Sequence, residues 1–212
     1  LFHDGRVQKK RRGGFRSPES ARDSGRDMLG VQARLPVASE VEMRGFNALR
    51  YAPPDRVRSR LIERLGNNSA WREAFARAFG DETISYDRIE TALSDYQLTF
   101  VLDDAPWFTF TAGDDAAISA QAKRGAVLFF SAREKGGAGC VTCHSGSFFT
   151  DEAFHVLAIP QIGRGKARTE GGFKRGTVRD GTDKGRWEAN RVSRFQFAFR
   201  TPTLLNINVT GP

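Results

Sequence analysis

The feature that most constrains this chain is the pentapeptide Cys140-Val141-Thr142-Cys143-His144, which contains both cysteines of the 212-residue sequence. Two thiols three residues apart can reach the two vinyl groups of one haem as thioethers, and the adjacent imidazole can then ligate the iron. The spacing therefore predicts one haem c, attached through Cys140 and Cys143 with His144 as its proximal iron ligand.

Three other chemistries use two cysteines at this spacing. A thioredoxin-like redox pair normally begins a helix in a strand-rich βαβ unit, which the sequence around Cys140 does not show. A disulfide would close too short a loop to stabilise the fold much. A zinc site would need a fourth ligand, and the only histidines besides His144 are His3 and His155. We therefore favour haem, and we interpret His155 as a hydrogen-bonding structural residue rather than a second iron ligand.

Composition narrows the classes of partner. The sequence holds 17 Phe and only 3 Tyr, an apolar skew that suits the lining of a buried haem as well as it suits an ordinary Phe-rich core.

The net charge is +8, yet no basic motif interleaved with aromatic residues indicates nucleic-acid binding. We interpret the charge as a solvated surface that can dock an acidic redox partner. No apolar run reaches the length of about 18 residues that predicts a membrane span.

Helical periodicity predicts a mainly α-helical chain. The predicted helices run from Pro54 to Gly66, from Asn68 or Ser69 to Gly80, from Ser85 through Phe100, and from about Asp115 to Ser131. Their inward faces are predicted to include Trp71, Phe75, Ala78, Phe79, Ile89, either Ala92 or Leu93, Tyr96 and Phe100. Residues 28–41 show no clear period.

A basic tract precedes these helices. From Gln8 to about Arg26 the chain is polar and glycine-containing, and it includes Lys9-Lys10-Arg11-Arg12. Its low apolar content predicts a surface loop or partial disorder. We interpret the four charges as solvated rather than as a nucleic-acid or membrane site.

A domain boundary is predicted near Pro106, between breaks at residues 103–106 and 111–114. Beyond it, a helix and a glycine loop lead directly into Cys140, which is how a compact haem-c domain begins. Before it, Glu42 lies between the apolar residues Val41 and Met43. Its carboxylate is either a desolvated acid/base group with a raised pKa or, as is commoner for Glu, a surface charge.

Four blocks, in the right order around C-x-x-C-H, resemble the bacterial dihaem cytochrome c peroxidase family, including its MauG-like branch. They are Leu1 to Val7, similar to F-W-D-G-R-A; Ser39 to Gly45, similar to N-P-x-E-M; Gln121 to His155, similar to the opening of the second haem domain; and Phe199 to Pro212, similar to F-K-x-P-T-L-R-N-…-T-A-P-Y. Each flanking block is weak alone, whereas the ordered set is specific.

The resemblance implies two cytochrome-c-like haem domains, the first only partly present. Residues 1–106 correspond to the C-terminal part of the first, peroxidatic domain, and residues 107–212 to the second, electron-transfer domain, truncated at its C-terminal end. The role implied for Glu42 is acid/base chemistry on hydrogen peroxide. The resemblance also implies a calcium between the haems that takes backbone carbonyls of Thr210 and Pro212.

Three departures from the family pattern stand out. The chain holds no first C-x-x-C-H, so the second haem of the pair is expected upstream of Leu1 or not at all. It ends at Pro212, before the segment in which the family has the distal ligand of the haem on His144. Met, Tyr and His therefore all stay open as that distal ligand. His3 stands where the family has a Trp that bridges the haems for electron transfer. An imidazole carries an electron hole less well than an indole, so the route between the haems is expected to differ.

The function expected from the resemblance is reduction of hydrogen peroxide to water with electrons from a small redox protein, cytochrome c or cupredoxin. Two alternatives stay open: a MauG-like oxidase that modifies a partner protein, and a non-catalytic electron-transfer cytochrome. Haem c is attached outside the cytoplasm, so a periplasmic location follows from the cofactor. A homodimer is among the assemblies left open.

Overall fold

The computed structural model describes residues 2–18, 27–39, 42–44, 48–100, 104–158, 160 and 182–208. These residues are mainly α-helical, as predicted, with two small antiparallel sheets. The helices are α1 (Met28–Ala38), α2 (Pro54–Gly66), α3 (Ser69–Phe79), α4 (Tyr86–Leu98), α5 (Pro106–Thr111), α6 (Ala120–Phe130) and α7 (Arg186–Asn190). The strands are β1 (Gln8–Lys9), β2 (Phe15–Arg16), β3 (Phe154–His155) and β4 (Phe199–Arg200). Among the described helices, none combines the length and apolarity needed to cross a bilayer.

Local signals set the ends of α2, α3 and α4 where the sequence predicted them. Pro54 occupies the first turn of α2, where its missing N–H is not needed. The side chains of Asn68 and Ser85 cap α3 and α4 by accepting backbone N–H groups of Ala70 and Arg88. Gly80 ends α3 in the left-handed conformation that glycine adopts without strain.

One expectation for the N-terminal region was wrong, and one helix there had not been predicted. The tract from Gln8 to about Arg26 was expected to be a surface loop or partly disordered, but β1 and β2 form a hairpin over residues 8–16, because Phe15 packs on an apolar cluster of Val7, Val31 and Leu35. Residues 19–26 of this tract lie outside the described residues. Residues 28–38 form α1 although they lack an amphipathic period. This helix is stabilised by burial against α4 and by the Asp27 cap, not by propensity.

Further differences concern helix faces and one helix start. The residues predicted to face inward but found exposed are Trp71, Ala78, Leu93, Tyr96 and Phe100. Phe75 and Ile89 are buried as predicted. Helix α6 begins at Ala120 rather than near Asp115, because Ser119 caps it by accepting the N–H of Ala122.

Polar contacts lock α1 against α4. The Ser94 hydroxyl, which is 1% exposed as a residue, donates to the Asp27 carboxylate at 2.8–2.9 Å. Asp27 also accepts the N–H of Gly30 and thereby caps α1. On the same helix pair, Arg34 donates to the buried Glu90 at 2.7 Å. The junction therefore depends on hydrogen bonds to charged groups that are shielded from water.

We expect Ser94→Ala to lower the free energy of unfolding by about 1.5–3 kcal/mol, because it removes a buried hydrogen bond to a carboxylate. The measurement is urea-induced unfolding followed by far-UV circular dichroism. Ser59→Ala is the matched control, since the exposed Ser59 hydroxyl only donates to the Asp55 carbonyl of its own helix, and a change within about 0.5 kcal/mol is expected. Equal losses in both variants would contradict the role given to Ser94.

Candidate haem site and acid/base residue

The Cys140-His144 segment forms a tight turn that brings its two thiols and its imidazole together. Cys140–Thr142 form a 3₁₀ turn, and the N–H groups of Cys143 and His144 donate to the carbonyl of Cys140 at 3.2 and 2.9 Å. Both cysteines are free thiols of intermediate burial. The turn therefore holds two free thiols and the imidazole next to one another.

A backbone carbonyl orients the imidazole of His144. Its Nδ1 lies 3.0 Å from the carbonyl oxygen of Phe149, so Nδ1 carries the proton and donates while Nε2 keeps its lone pair. Phe149 reaches this position with a φ of 51°, in the left-handed region. This is the arrangement that an iron-ligating histidine requires, and nothing in the local spacing had indicated the carbonyl of Phe149.

An apolar cleft of about 380 Å³ adjoins the imidazole. Phe149 lines it, and the rings of Phe129 and His144 lie 6.5 Å apart. The lining residues come from α5, α6, the loop after His144 and residues 204–206: Ala105, Trp107, Phe108, Ile118, Ala122, Gly125, Ala126, Phe129, Phe130, Phe149, Leu204, Leu205 and Asn206. A Cβ added to Gly125 would meet no described neighbour within 4 Å, so this face of α6 opens onto the cleft.

The cleft, the thiols and the imidazole together fit a haem. A macrocycle needs apolar walls, two sulfurs at its edge and one nitrogen lone pair at its iron. Cys140 and Cys143 could supply the sulfurs, His144 the nitrogen, and the aromatic side chains of α5 and α6 the walls. Trp107, which stacks on Phe130 at 5.5 Å, was not singled out from the sequence.

His155 has the structural role that the sequence predicted for it. Its Nε2 hydrogen-bonds to the Asp151 carboxylate at 2.7 Å, and the N–H of Asp151 donates to the carbonyl of Cys143 at 2.7 Å. Ligand atoms of Cys143, Asp151 and His155 lie within 4.8 Å of one another. Sequence reasoning missed Asp151, although its spacing of four residues from His155 was a usable signal. These three groups could also hold a zinc ion, but only if Cys143 were not alkylated by haem.

Glu42 lies at a different place from the haem turn. It is exposed, and its backbone N–H donates to the carbonyl of Ser39 at 3.3 Å. Its neighbour Met43 lines a second cleft of about 450 Å³, together with Val37 and Val57. The two clefts share no lining residue. Glu42 is therefore the sequence neighbour of a residue that lines a separate cavity, in the half of the chain assigned to the first domain.

The remaining predicted site residues are described only in part. His3 is half-buried, its Nε2 lies 2.9 Å from the Asp183 carboxylate, and its ring stacks on Phe199 with centroids 5.7 Å apart. Thr210 and Pro212, predicted to bind calcium, lie outside the described residues.

A mainly helical fold that presents two free thiols and an adjacent, oriented imidazole beside an apolar cleft defines the class of c-type cytochromes. A model of the family described as di-haem cytochrome c peroxidase matches residues 1–116. The chain belongs to this family.

Individual relatives agree with this membership, and one solved structure shares the fold. The chain is 34% identical to the methylamine utilization protein MauG of Methylophilus methylotrophus, over 87% of this chain and 45% of that protein. It is 27% identical to the cytochrome c551 peroxidase of Pseudomonas aeruginosa, over 87% of this chain and 46% of that protein. The chain thus spans less than half of either relative. A crystal structure of a MauG-like protein associated with microbial copper homeostasis shares the fold, with a TM-score of 0.64, 21% identity, and coverage of 97% of this chain and 60% of that one.

The Asp151 carboxylate makes stability depend on pH. Burial acts to raise its pKa, but hydrogen bonds from the Ala153 N–H, the Thr201 side chain and His155 outweigh it and leave the pKa below the ordinary 3.8. The unfolded chain therefore binds this proton more readily than the folded one. Its contribution to stability is present above the ordinary pKa and is lost as pH falls through the folded pKa.

We expect the free energy of unfolding to decrease as the pH is lowered from 5 to 3. Asp151→Asn should make this decrease smaller, because the variant has no carboxylate to protonate at this position. Urea unfolding at the two pH values measures both slopes. Asp104→Asn is the control, because Asp104 is exposed and has no side-chain hydrogen bond to another described residue. A slope unchanged by Asp151→Asn would contradict the account of this carboxylate.

Proposed function

We propose that this chain is part of a dihaem c-type cytochrome peroxidase, which reduces hydrogen peroxide to water with electrons from a small redox protein, cytochrome c or cupredoxin. The observation that carries the proposal is the oriented imidazole of His144, next to two free thiols and an apolar cleft, in a chain that belongs to the di-haem cytochrome c peroxidase family. Because haem c is attached outside the cytoplasm, a periplasmic location is part of the same proposal.

Cys140 and Cys143 would attach the haem of the second domain, each sulfur adding to a vinyl carbon while its proton goes to the neighbouring carbon. His144 would ligate the iron through Nε2, with Nδ1 held by the carbonyl of Phe149. Trp107, Phe129 and the other cleft residues would exclude water from the macrocycle, and a dry shell favours the reduced state and a high potential. When bound, haem supplies the one-electron chemistry.

Glu42 would act as the acid/base group on peroxide. Its carboxylate would take a proton from one oxygen of hydrogen peroxide and deliver it to the other, which leaves as water. Two electrons and two further protons would convert the remaining oxygen to a second water. Glu42 is exposed and forms no side-chain hydrogen bond with a described residue, so its carboxylate is accessible to a small substrate. Calcium on the backbone carbonyls of Thr210 and Pro212 is part of the same proposal.

A MauG-like oxidase that modifies a partner protein is the second candidate. Two relatives that are 34% and 32% identical to the chain are named methylamine utilization protein MauG. His3, where a Trp was expected, is engaged with Asp183. If this candidate is right, the protein oxidises residues of a second protein when peroxide is added. Mass spectrometry of the second protein would detect that modification.

The first test is a haem count on the full-length protein by the pyridine haemochrome assay. We expect two covalent haems per polypeptide, and Cys140→Ala/Cys143→Ala should remove one of them from a haem-stained denaturing gel. One haem in the unaltered protein would contradict a peroxidase and leave an electron carrier. A staining pattern unchanged by the double substitution would exclude attachment at this turn.

The second test is Glu42→Gln, which preserves size and removes the proton acceptor. Peroxide turnover should fall by about 10²–10⁴-fold, the usual contribution of general acid/base catalysis, while the haem content stays the same. Glu73→Gln on α3 is the matched control, since Glu73 is exposed and forms no ion pair among the described residues. Full turnover in Glu42→Gln would remove Glu42 from the mechanism.

A further inference from the structure

The basic tract near the N-terminus is a defined hairpin. Strands β1 and β2 pair Gln8 with Arg16 and Lys9 with Phe15. At the tip, the Lys10 N–H donates to the carbonyl of Gly14 at 2.9 Å, and the Gly13 N–H donates to the carbonyl of Lys10 at 3.2 Å. The cations of this tip are thus presented on a folded element, rather than averaged over a loop.

No anion neutralises the hairpin among the described residues. Its exposed cations, none of which forms an ion pair or a side-chain hydrogen bond there, are Lys9, Lys10, Arg11, Arg12 and Arg16. Elsewhere several arginines do have partners: Arg34 pairs with Glu90 and Arg88 with Asp81, both at 2.7 Å. Four consecutive like charges repel one another, and a binding partner of opposite charge would relieve that repulsion.

The hairpin is continuous with the contact between the two halves of the chain. The Gln8 side chain donates to the carbonyl of Gly5 at 2.8 Å, and the Arg186 guanidinium donates to the same carbonyl at 2.7 Å. The base of the hairpin therefore meets the half of the chain that contains Cys140 and His144.

We propose that this hairpin is the docking site for an acidic redox protein, the electron donor of the peroxidase proposed above, on which this inference rests. The tip residues 10–14 are charged or glycine, and the one aromatic residue of the hairpin, Phe15, packs on the core. Elements that bind membranes add apolar side chains to their cations, which this tip lacks. A purely Coulombic contact suits redox encounters, which are small, transient and steered by charge.

The test compares two triple variants of the full-length, haem-loaded protein. Lys10→Gln/Arg11→Gln/Arg12→Gln removes three charges from the tip, and Arg56→Gln/Arg77→Gln/Arg194→Gln removes three from exposed sites elsewhere. The probe is a reduced, acidic blue-copper protein, whose electron transfer to the oxidised haem is followed by stopped flow without peroxide.

We expect the second-order rate constant of the tip variant to fall about tenfold or more at low ionic strength, within the range attributed to electrostatic steering. The difference should vanish near 1 M salt, where the Debye length is about 3 Å. The control variant should stay within about twofold of the unaltered protein. Equal losses in both variants, or no loss in the tip variant, would overturn the docking site.

Two further arms separate this inference from its alternatives. In the first arm, peroxide turnover with a small neutral electron donor should be the same in the unaltered protein and the tip variant. If the unaltered protein shows no peroxide turnover, the peroxidase proposal is refuted, but the docking of the acidic protein is not. The second arm measures co-sedimentation of the protein with vesicles of phosphatidylglycerol and phosphatidylcholine. If the tip substitutions abolish co-sedimentation but leave the rate of electron transfer from the blue-copper protein unchanged, the hairpin binds a membrane surface and the proposal is overturned.

Discussion

The arrangement of the described structure depends on one guanidinium, that of Arg186. Its Nη1 donates to the carbonyls of Gly5 and Asp4, at 2.7 and 3.3 Å. These hydrogen bonds join segments that are separated by 181 and 182 positions in the sequence. Its plane lies over the ring of Phe154, with the guanidinium carbon 4.5 Å from the centroid. Because a partly buried cation is costly unless it is hydrogen-bonded, these carbonyls stabilise the guanidinium, which joins the N-terminal segment to the half that contains Cys140 and His144.

The same contact explains the local backbone. Gly5 has a φ of 62°, and a Cβ there would lie 2.5 Å from both Arg186 Nη1 and Phe154, so no other residue fits without displacing the guanidinium. Asp4, which is fully buried, forms a paired hydrogen bond with Arg6 and leaves its carbonyl for Arg186. These constraints fix the segment from which the first half of the fold and the basic hairpin extend.

Within the haem half, the sequence predicted the ligands but not what orients them. The spacing of Cys140, Cys143 and His144 matches the dimensions of a haem, so a local rule was sufficient to predict them as its ligands. The carbonyl of Phe149, which orients His144, belongs to a turn with a left-handed residue, and no residue type marks it. Glu42 was found through resemblance, and its place beside a separate cleft emerged only when distant segments were brought together.

Sequence by itself determined the helices with clear caps, from Pro54 to Gly80, and the chemistry of the Cys-Val-Thr-Cys-His turn, because both follow from contacts between residues close along the chain. Tertiary structure alone decided that Met28–Ala38 is a helix and that the tract from Gln8 folds into a hairpin. Neither segment carries a periodic pattern of its own. Each is stabilised by burial against partners elsewhere in the sequence, as Phe15 is against Val31, and local spacing does not encode such contacts.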